Sequence, residues 1–379
     1  MSHRRVTRAA LVGATAIATM AALPAGTAAA ATASPVAPGA AGLTQNSAVT
    51  AIGPDGTMAG AEGSGPAIWT TAGRTVRLSA GSEVRTITAS GLAGGSSGGA
   101  ATIWRTDGST VATRAGAHVV DLTEGGTAVI AAGQDATYDS GLWSGGAVTP
   151  LRVPGRPDVR VHPADINNNG EVAGLATVPG SWQWTPVRCR ADGGCAQLPL
   201  PSPGADVRVS AVNDSGRVLG SNDGKGLLWD SAGPPTPLPP AAGSTYARPV
   251  DGRQALNARG DVIGYSGPGY DLEHPVVWPA GGAPVALPRS TTHIISELRA
   301  INDNGDIAAI GSDGSSRAER VLFWRGGQLS QFSLLPLRTG GTVVGLSAAG
   351  RVAGGSQLKI GSIPGFTYYS ERATYWDPR

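Results

Sequence analysis

One pattern recurs eight times along this 379-residue chain and constrains its fold more than any other feature. An aliphatic residue is followed by three mostly polar or small residues and then by Gly. The pairs are Ile52/Gly56, Ile87/Gly91, Leu122/Gly126, Ile166/Gly170, Val212/Gly216, Leu256/Gly260, Ile301/Gly305 and Leu346/Gly350. Apolar residues resume at once, as in Val172-Ala173-Gly174 and Val262-Ile263-Gly264. Between two strand-like runs, Asn-Asp-Ser-Gly or Asn-Asp-Asn-Gly reads as a hairpin turn, because Asn and Asp bond their own main chain and Gly takes positive φ freely. A second apolar run then ends in Trp: Trp69, Trp104, Trp143, Trp184, Trp229, Trp278, Trp324 and Trp376. One slot thus takes all but one of the chain's nine tryptophans. A turn and a fourth run, such as Val285-Ala286-Leu287, complete the unit.

Successive units start 35, 35, 44, 46, 44, 45 and 45 residues apart. Four short strands with their turns fit the longer spacing well and the shorter one tightly. A repeat of about 40–45 residues with four strands is the propeller period. One such sheet cannot bury both its faces, whereas radial packing buries them, with Trp as the large piece between neighbours. The expected fold is therefore all-β: a β-propeller of eight four-stranded blades, with seven and an irregular first blade as the alternative. No stretch shows sustained helical periodicity, so almost no helix is expected. The eighth unit stops three residues after Trp376, without a fourth strand, while a segment over 36–45 precedes the first repeat. That segment is expected to pair beside 373–376, closing the ring and removing its exposed edges.

The first 33 residues read as a secretory signal peptide. Arg4, Arg5 and Arg8 precede an apolar run over 9–23 and small-residue A-x-A sites, with cleavage after Ala30 or Ala33. The remainder, 34–379, reads as a single propeller domain. Net charge is +2 over the whole chain and −1 without those three arginines, and Lys225 and Lys359 are the only lysines. Such a chain has no broad basic face for nucleic acid or anionic lipid. High Gly (57) and Pro (28) suit many tight turns, and an apolar fraction of 41 % argues against disorder. Cys189 and Cys195 are expected to form a disulfide across a hairpin end in an oxidising compartment.

The elements Ile-Asn-x-x-Gly-x-Val-x-Gly, an apolar-apolar-Trp run and Gly-x-x-x-x-Leu resemble the HAF-repeat extracellular proteins of actinobacteria. The best matches are 166–174, 212–220, 256–264 and 301–307, and only His274-Pro275-Val276-Val277-Trp278 keeps the His of the family's His-Ala-Phe run. The resemblance spans most of 46–379. It implies secretion and a propeller-like fold. It implies no reaction, so no catalytic residue is carried over.

Other motifs carry little chemistry. Gly94-Gly95-Ser96-Ser97-Gly98 has the spacing of a nucleophile elbow but no helix after it. Asp165-Ile166-Asn167-Asn168-Asn169-Gly170 opens like a calcium loop, yet the twelfth position is Ala176 rather than Glu. The residue matching Asp165 is Ala211, Ala255 and Ala300 in later units, so a hairpin turn explains the whole set. His118, His162, His274 and His293 have no metal-ligand spacing. No catalytic residue, metal or cofactor is expected.

A ligand is expected on the face carrying the loops after strands two and four. Trp182, Tyr246, Tyr265, Tyr270, Asp271, His274, Phe366, Tyr368 and Tyr369 supply spare aromatic and polar groups there, suited to recognition of protein or sugar. The expected function is that of a secreted or envelope-retained, monomeric, non-enzymatic binder of an extracellular protein or polysaccharide. The alternative is a propeller hydrolase or lyase acting on extracellular carbohydrate. An enzyme of that kind gathers charged residues at the mouth of the central channel; a binder presents a broad aromatic and polar face.

Overall fold

The computed structural model describes residues 36–37 and 46–378, apart from 64, 133–139, 231–232, 270–272, 290–292, 313–317 and 364–365. The signal segment and the candidates Tyr270 and Asp271 lie outside the described residues. The rest forms eight antiparallel sheets, each ordered as it runs along the chain. The blades cover 47–77, 82–115, 117–150, 160–197, 207–237, 246–286, 294–332 and 340–376. The chain is an eight-bladed β-propeller, and the 35-residue units are complete blades.

Seven blades have four strands and the eighth has three, Gly340–Leu346, Val352–Ile363 and Phe366–Trp376. Val36 bonds its N–H and C=O to Tyr375, at 3.0 and 2.9 Å, and so begins the missing strand. The Ala373 amide also donates to Ser47 Oγ at 2.9 Å, joining blade 8 to blade 1. Closure from the N-terminal side is the arrangement the sequence predicts.

The innermost strand of each regular blade is bulged two residues before the repeated aliphatic position, for example between Val49 and Ala51 and between Val209 and Ala211. The bulge presses the backbone of strand one onto strand two. A Cβ on Gly60 would lie 1.8 Å from the Ala48 carbonyl oxygen, which accounts for the second glycine of the repeat. The Asn after the aliphatic residue also does more than make a turn. Asn167 Nδ2 donates to the Asn213 carbonyl at 2.9 Å, Asn213 to Asn257 at 3.1 Å, Asn257 to Asn302 at 3.0 Å and Asn302 to Ser347 at 3.0 Å. Each Asn Oδ1 meanwhile accepts the amide four residues on in its own turn. Blades 4 to 8 are thereby linked by a buried polar relay.

The tryptophan slot holds in seven blades. Trp69, Trp104, Trp143, Trp229, Trp278, Trp324 and Trp376 are all buried, each facing strand two at or beside the residue six after the repeated aliphatic. In blades 5 to 8 the indole Nε1 donates to a carbonyl just beyond the preceding blade's last strand: Pro199, Pro239, Pro288 and Ser333, at 2.8–2.9 Å. Blade 4 breaks the rule. Its third strand is Thr185–Cys189, and Cys189 rather than Trp184 stands opposite Val172. Cys189 pairs directly with Cys195 on the next strand and is disulfide-bonded to it. The bridge fills the blade interior, and Trp184 is displaced into the loop before the strand. The expectation that Trp184 shares the common slot is corrected accordingly.

Candidate functional site

Blade 6 departs from the others at the channel. Between the pairs Pro249↔Gly264 and Leu256↔Val262, residues 250–255 face Ile263 alone, where blade 5 has Ser210 and Ala211 opposite Leu219. The insertion contains a 3-10 turn, Arg253–Ala255, the one helical element among the described residues. Gly252 enters it at φ +134°, a conformation that suits only glycine.

This insertion spans the ring. Arg253 Nη2 donates to the Arg85 carbonyl of blade 2 at 3.1 Å, and Arg253 forms an ion pair with Asp121 of blade 3. Gln254 Nε2 donates to the Leu346 carbonyl of blade 8 at 2.9 Å, and Gln254 Oε1 accepts the Leu346 amide at 2.9 Å. Around the hub a polar chain passes from blade to blade. Thr86 Oγ1 donates to Asp121 Oδ1 at 2.7 Å, Asp121 hydrogen-bonds Asp165, and Asp165 Oδ2 accepts the Val212 amide at 2.8 Å. Thr86, Asp121 and Asp165 all precede the repeated aliphatic residue, where most other blades carry Ala.

The electrostatics divide the two carboxyls. Burial and the neighbouring Asp121 charge push Asp165 well above the usual carboxylate range. Burial also acts to raise Asp121, but the Arg253 guanidinium and hydrogen bonds from Asp165, Thr86 and Leu122 outweigh it and hold the group below that range. The Asp121 charge in turn raises Arg253.

The hub separates two cavities. One, of about 370 Å³, lies on the turn side of the channel beside Arg85, Asp121 and Arg299. The other is an open cleft of about 900 Å³ on the face of the second-strand loops, between blades 4 and 5. Residues 251–253 line both. Trp182 is 94 % exposed at the rim of the cleft. Trp184, half-buried, meets the His162 ring edge-on at 4.8 Å, and burial lowers the His162 pKa below the ordinary imidazole value. Asp206, Arg208 and Asp251 complete the polar lining. Among the described residues these three side chains have no hydrogen-bond or ion-pair partner.

Of the residues singled out from sequence, Trp182 lines this cleft. Tyr246 begins the first strand of blade 6, partly exposed, and His274 is exposed on the third strand. Tyr265 belongs to the blade wall instead of the open face. It is 9 % exposed, its hydroxyl accepts the Leu298 amide, and Arg248 stacks 4.6 Å above its ring. Phe366, Tyr368 and Tyr369 lie on the last strand of blade 8, where Tyr369 is 50 % exposed. Sequence reasoning missed Trp184, His162, Arg208, Asp251 and Arg253. A signal for Trp184 did exist: Arg-Ala-Asp-Gly follows Cys189, as Arg-Thr-Asp-Gly follows Trp104, so the outer turn comes after the cysteine.

Fold and site together define a propeller with an internally bridged channel and an aromatic cleft on its loop face. No family model matches the chain, and no curated protein matches it in sequence. Solved structures with a similar fold include dipeptidyl peptidase 4 from Porphyromonas gingivalis. That match has 12 % identity and a TM-score of 0.49, covering 78 % of this chain and 56 % of that one. The propeller domain of the trilobed protease from Pyrococcus furiosus matches at 8 % identity and TM-score 0.48, covering 88 % and 94 %. Virginiamycin B lyase from Staphylococcus aureus matches at 10 % identity and TM-score 0.41, covering 91 % and 98 %. At these levels the activities of those proteins carry no weight for this chain.

Proposed function

We propose that this is a secreted, non-enzymatic binding propeller of the HAF-repeat kind, whose extracellular protein or polysaccharide ligand occupies the cleft beside Trp182 and Trp184. The observation that carries the reading is the exchange in blade 4: a disulfide takes the structural slot and leaves two tryptophans for one open cleft. Aromatic anchors on a rigid scaffold, with uncommitted polar groups around them, are the usual anatomy of a recognition site. The disulfide suits an extracellular location, and no helix among the described residues is long and apolar enough to cross a membrane. Monomeric action without nucleic acid, metal or cofactor belongs to the same proposal.

The carboxyl pair in the channel is the feature that favours a carbohydrate hydrolase or lyase instead. Its geometry argues the other way. Asp121 and Asp165 hydrogen-bond each other, closer than the 5–9.5 Å or so that separates the acids of glycosidases. Both are also engaged by Thr86, Arg253 and the Val212 amide, so they serve as ties between blades. Two measurements test the reading. Immobilised protein should retain material from culture medium or envelope extract that the Trp182→Ala variant does not. Incubation with extracellular polysaccharides should yield no new reducing ends or unsaturated products; turnover abolished by Asp121→Asn would establish the enzyme instead.

A further inference from the structure

Resting on the cleft reading just given, we propose that the ligand is a neutral oligosaccharide, bound with sugar rings against Trp182 and Trp184. Charge narrows the choice of ligand first. Arg253 is already paired with Asp121, which leaves two carboxylates, Asp206 and Asp251, and one guanidinium, Arg208, to face a ligand. That near balance, with a slight negative excess, opposes polyanions such as uronic acid polymers or phosphate-rich chains. A lone cation is also disfavoured, because Arg208 and Arg253 stand in the same cleft.

Shape and chemistry favour sugar over peptide. A pyranose presents an apolar C–H face and a rim of vicinal hydroxyls. The face suits an indole, as large aromatic anchors with polar surroundings do in other recognition sites. The rim suits carboxylates and a guanidinium that accept and donate in pairs. Trp184 is braced by His162 as a fixed wall, and Trp182 stands free at the rim. The strands beneath, Arg160–Ile166 and Val207–Val212, are the inner edge strands of their sheets, and side chains already take some of their main-chain groups: Ser140 donates to the Val161 carbonyl at 2.5 Å and Asp165 accepts the Val212 amide at 2.8 Å. The free groups in the cleft are the side chains of Asp206, Arg208 and Asp251, which suit hydroxyls.

Intrinsic tryptophan fluorescence and calorimetry with defined probes test the proposal: cellohexaose, chitohexaose, mannohexaose, hexagalacturonate and a proline-rich decapeptide. At least one neutral hexasaccharide should bind. Trp182→Ala should weaken it by about thirty-fold, as expected for an aromatic anchor. Arg208→Ala should weaken it several-fold, and Trp182→Phe should restore part of the loss. Trp182 is so exposed that its variants keep the wild-type melting temperature, which circular dichroism checks. Preference for hexagalacturonate overturns the neutral-ligand assignment. Binding of the peptide alone, lost in Trp182→Ala, overturns the sugar class but keeps the cleft as a binding site. If no probe shows binding that responds to Trp182→Ala, both this inference and the cleft reading fall.

Discussion

The two arcs of the ring are held together differently. Blades 4 to 7 repeat one device that links them on to blade 8: a buried Asn whose amide donates to the next blade's backbone while its oxygen closes its own turn. Blades 1 to 3 carry Gly53, Thr88 and Thr123 at that position. There the Glu124 carboxylate of blade 3 accepts the Ala89 and Ser90 amides of blade 2 at 2.8 Å across the turns, and further ties come from the channel side. Thr50 Oγ1 donates to the Val84 carbonyl at 2.8 Å, and Thr86, Asp121 and Asp165 continue as a chain of unlike side chains. The blade 6 insertion then reaches across the channel to brace that arc through Arg253. A repeat can thus drop its shared bond in some copies if another layer of the same strands supplies one.

This contrast can be broken most severely at Asp121. Asp121→Asn removes the only ionised partner of Arg253 among the described residues and disturbs Thr86 and Asp165 together. Chemical denaturation should show a loss of about 2–3 kcal/mol, below the fully buried case because Arg253 keeps some contact with channel water. In the other arc, Asn257→Ala should cost about 2 kcal/mol, since the Asn302 carbonyl and the Asp261 amide both lose buried partners. The matched change Thr123→Ala should cost only about 0.5–1 kcal/mol, because Thr123 accepts a local amide and ties no other blade. Equal costs for the two would abolish the distinction between the arcs.

The smallest effect is a change in pH dependence. Asp165 has its folded pKa raised, so the native state holds the proton more tightly than the unfolded chain. Its contribution is complete below the ordinary carboxyl range and is lost as pH rises through the folded value. Asp121, with a lowered folded pKa, contributes above that range and loses the contribution as pH falls. Asp165→Asn keeps a donor toward Asp121 and an acceptor for the Val212 amide but cannot ionise. Its urea midpoint, followed from pH 4 upward, should therefore lack the wild-type decline on the alkaline side. An unchanged slope would mean that Asp165 is not the proton-bearing member.

Much of this was legible in the repeat. Turn chemistry, the strand periods and the recurring Trp specify the blade, its copy number and its closure, because those signals are local and each copy repeats them. The disulfide was legible from two cysteines in a chain with a signal-like start. The candidate site was legible only at Trp182. Trp184 resembled its counterparts because an apolar, Trp-terminated run looks the same whether it ends in a blade interior or a loop. The unlike residues at the Ala position, Asp121 and Asp165, were visible as exceptions, but not as partners of each other.

The sequence by itself determined the blade, since, apart from the pairing of Val36 with Tyr375 in blade 8, its paired strands follow one another directly in the chain. Tertiary structure alone decided which exceptions to the repeat meet. Arg85, Asp121, Arg253 and Leu346 come from four units and converge because a closed ring points its inner strands at one axis. Trp182, Trp184, Arg208 and Asp251 come from three consecutive units and form one cleft for the same reason. Such distances across the ring depend on radius and blade number, and no local pattern encodes them.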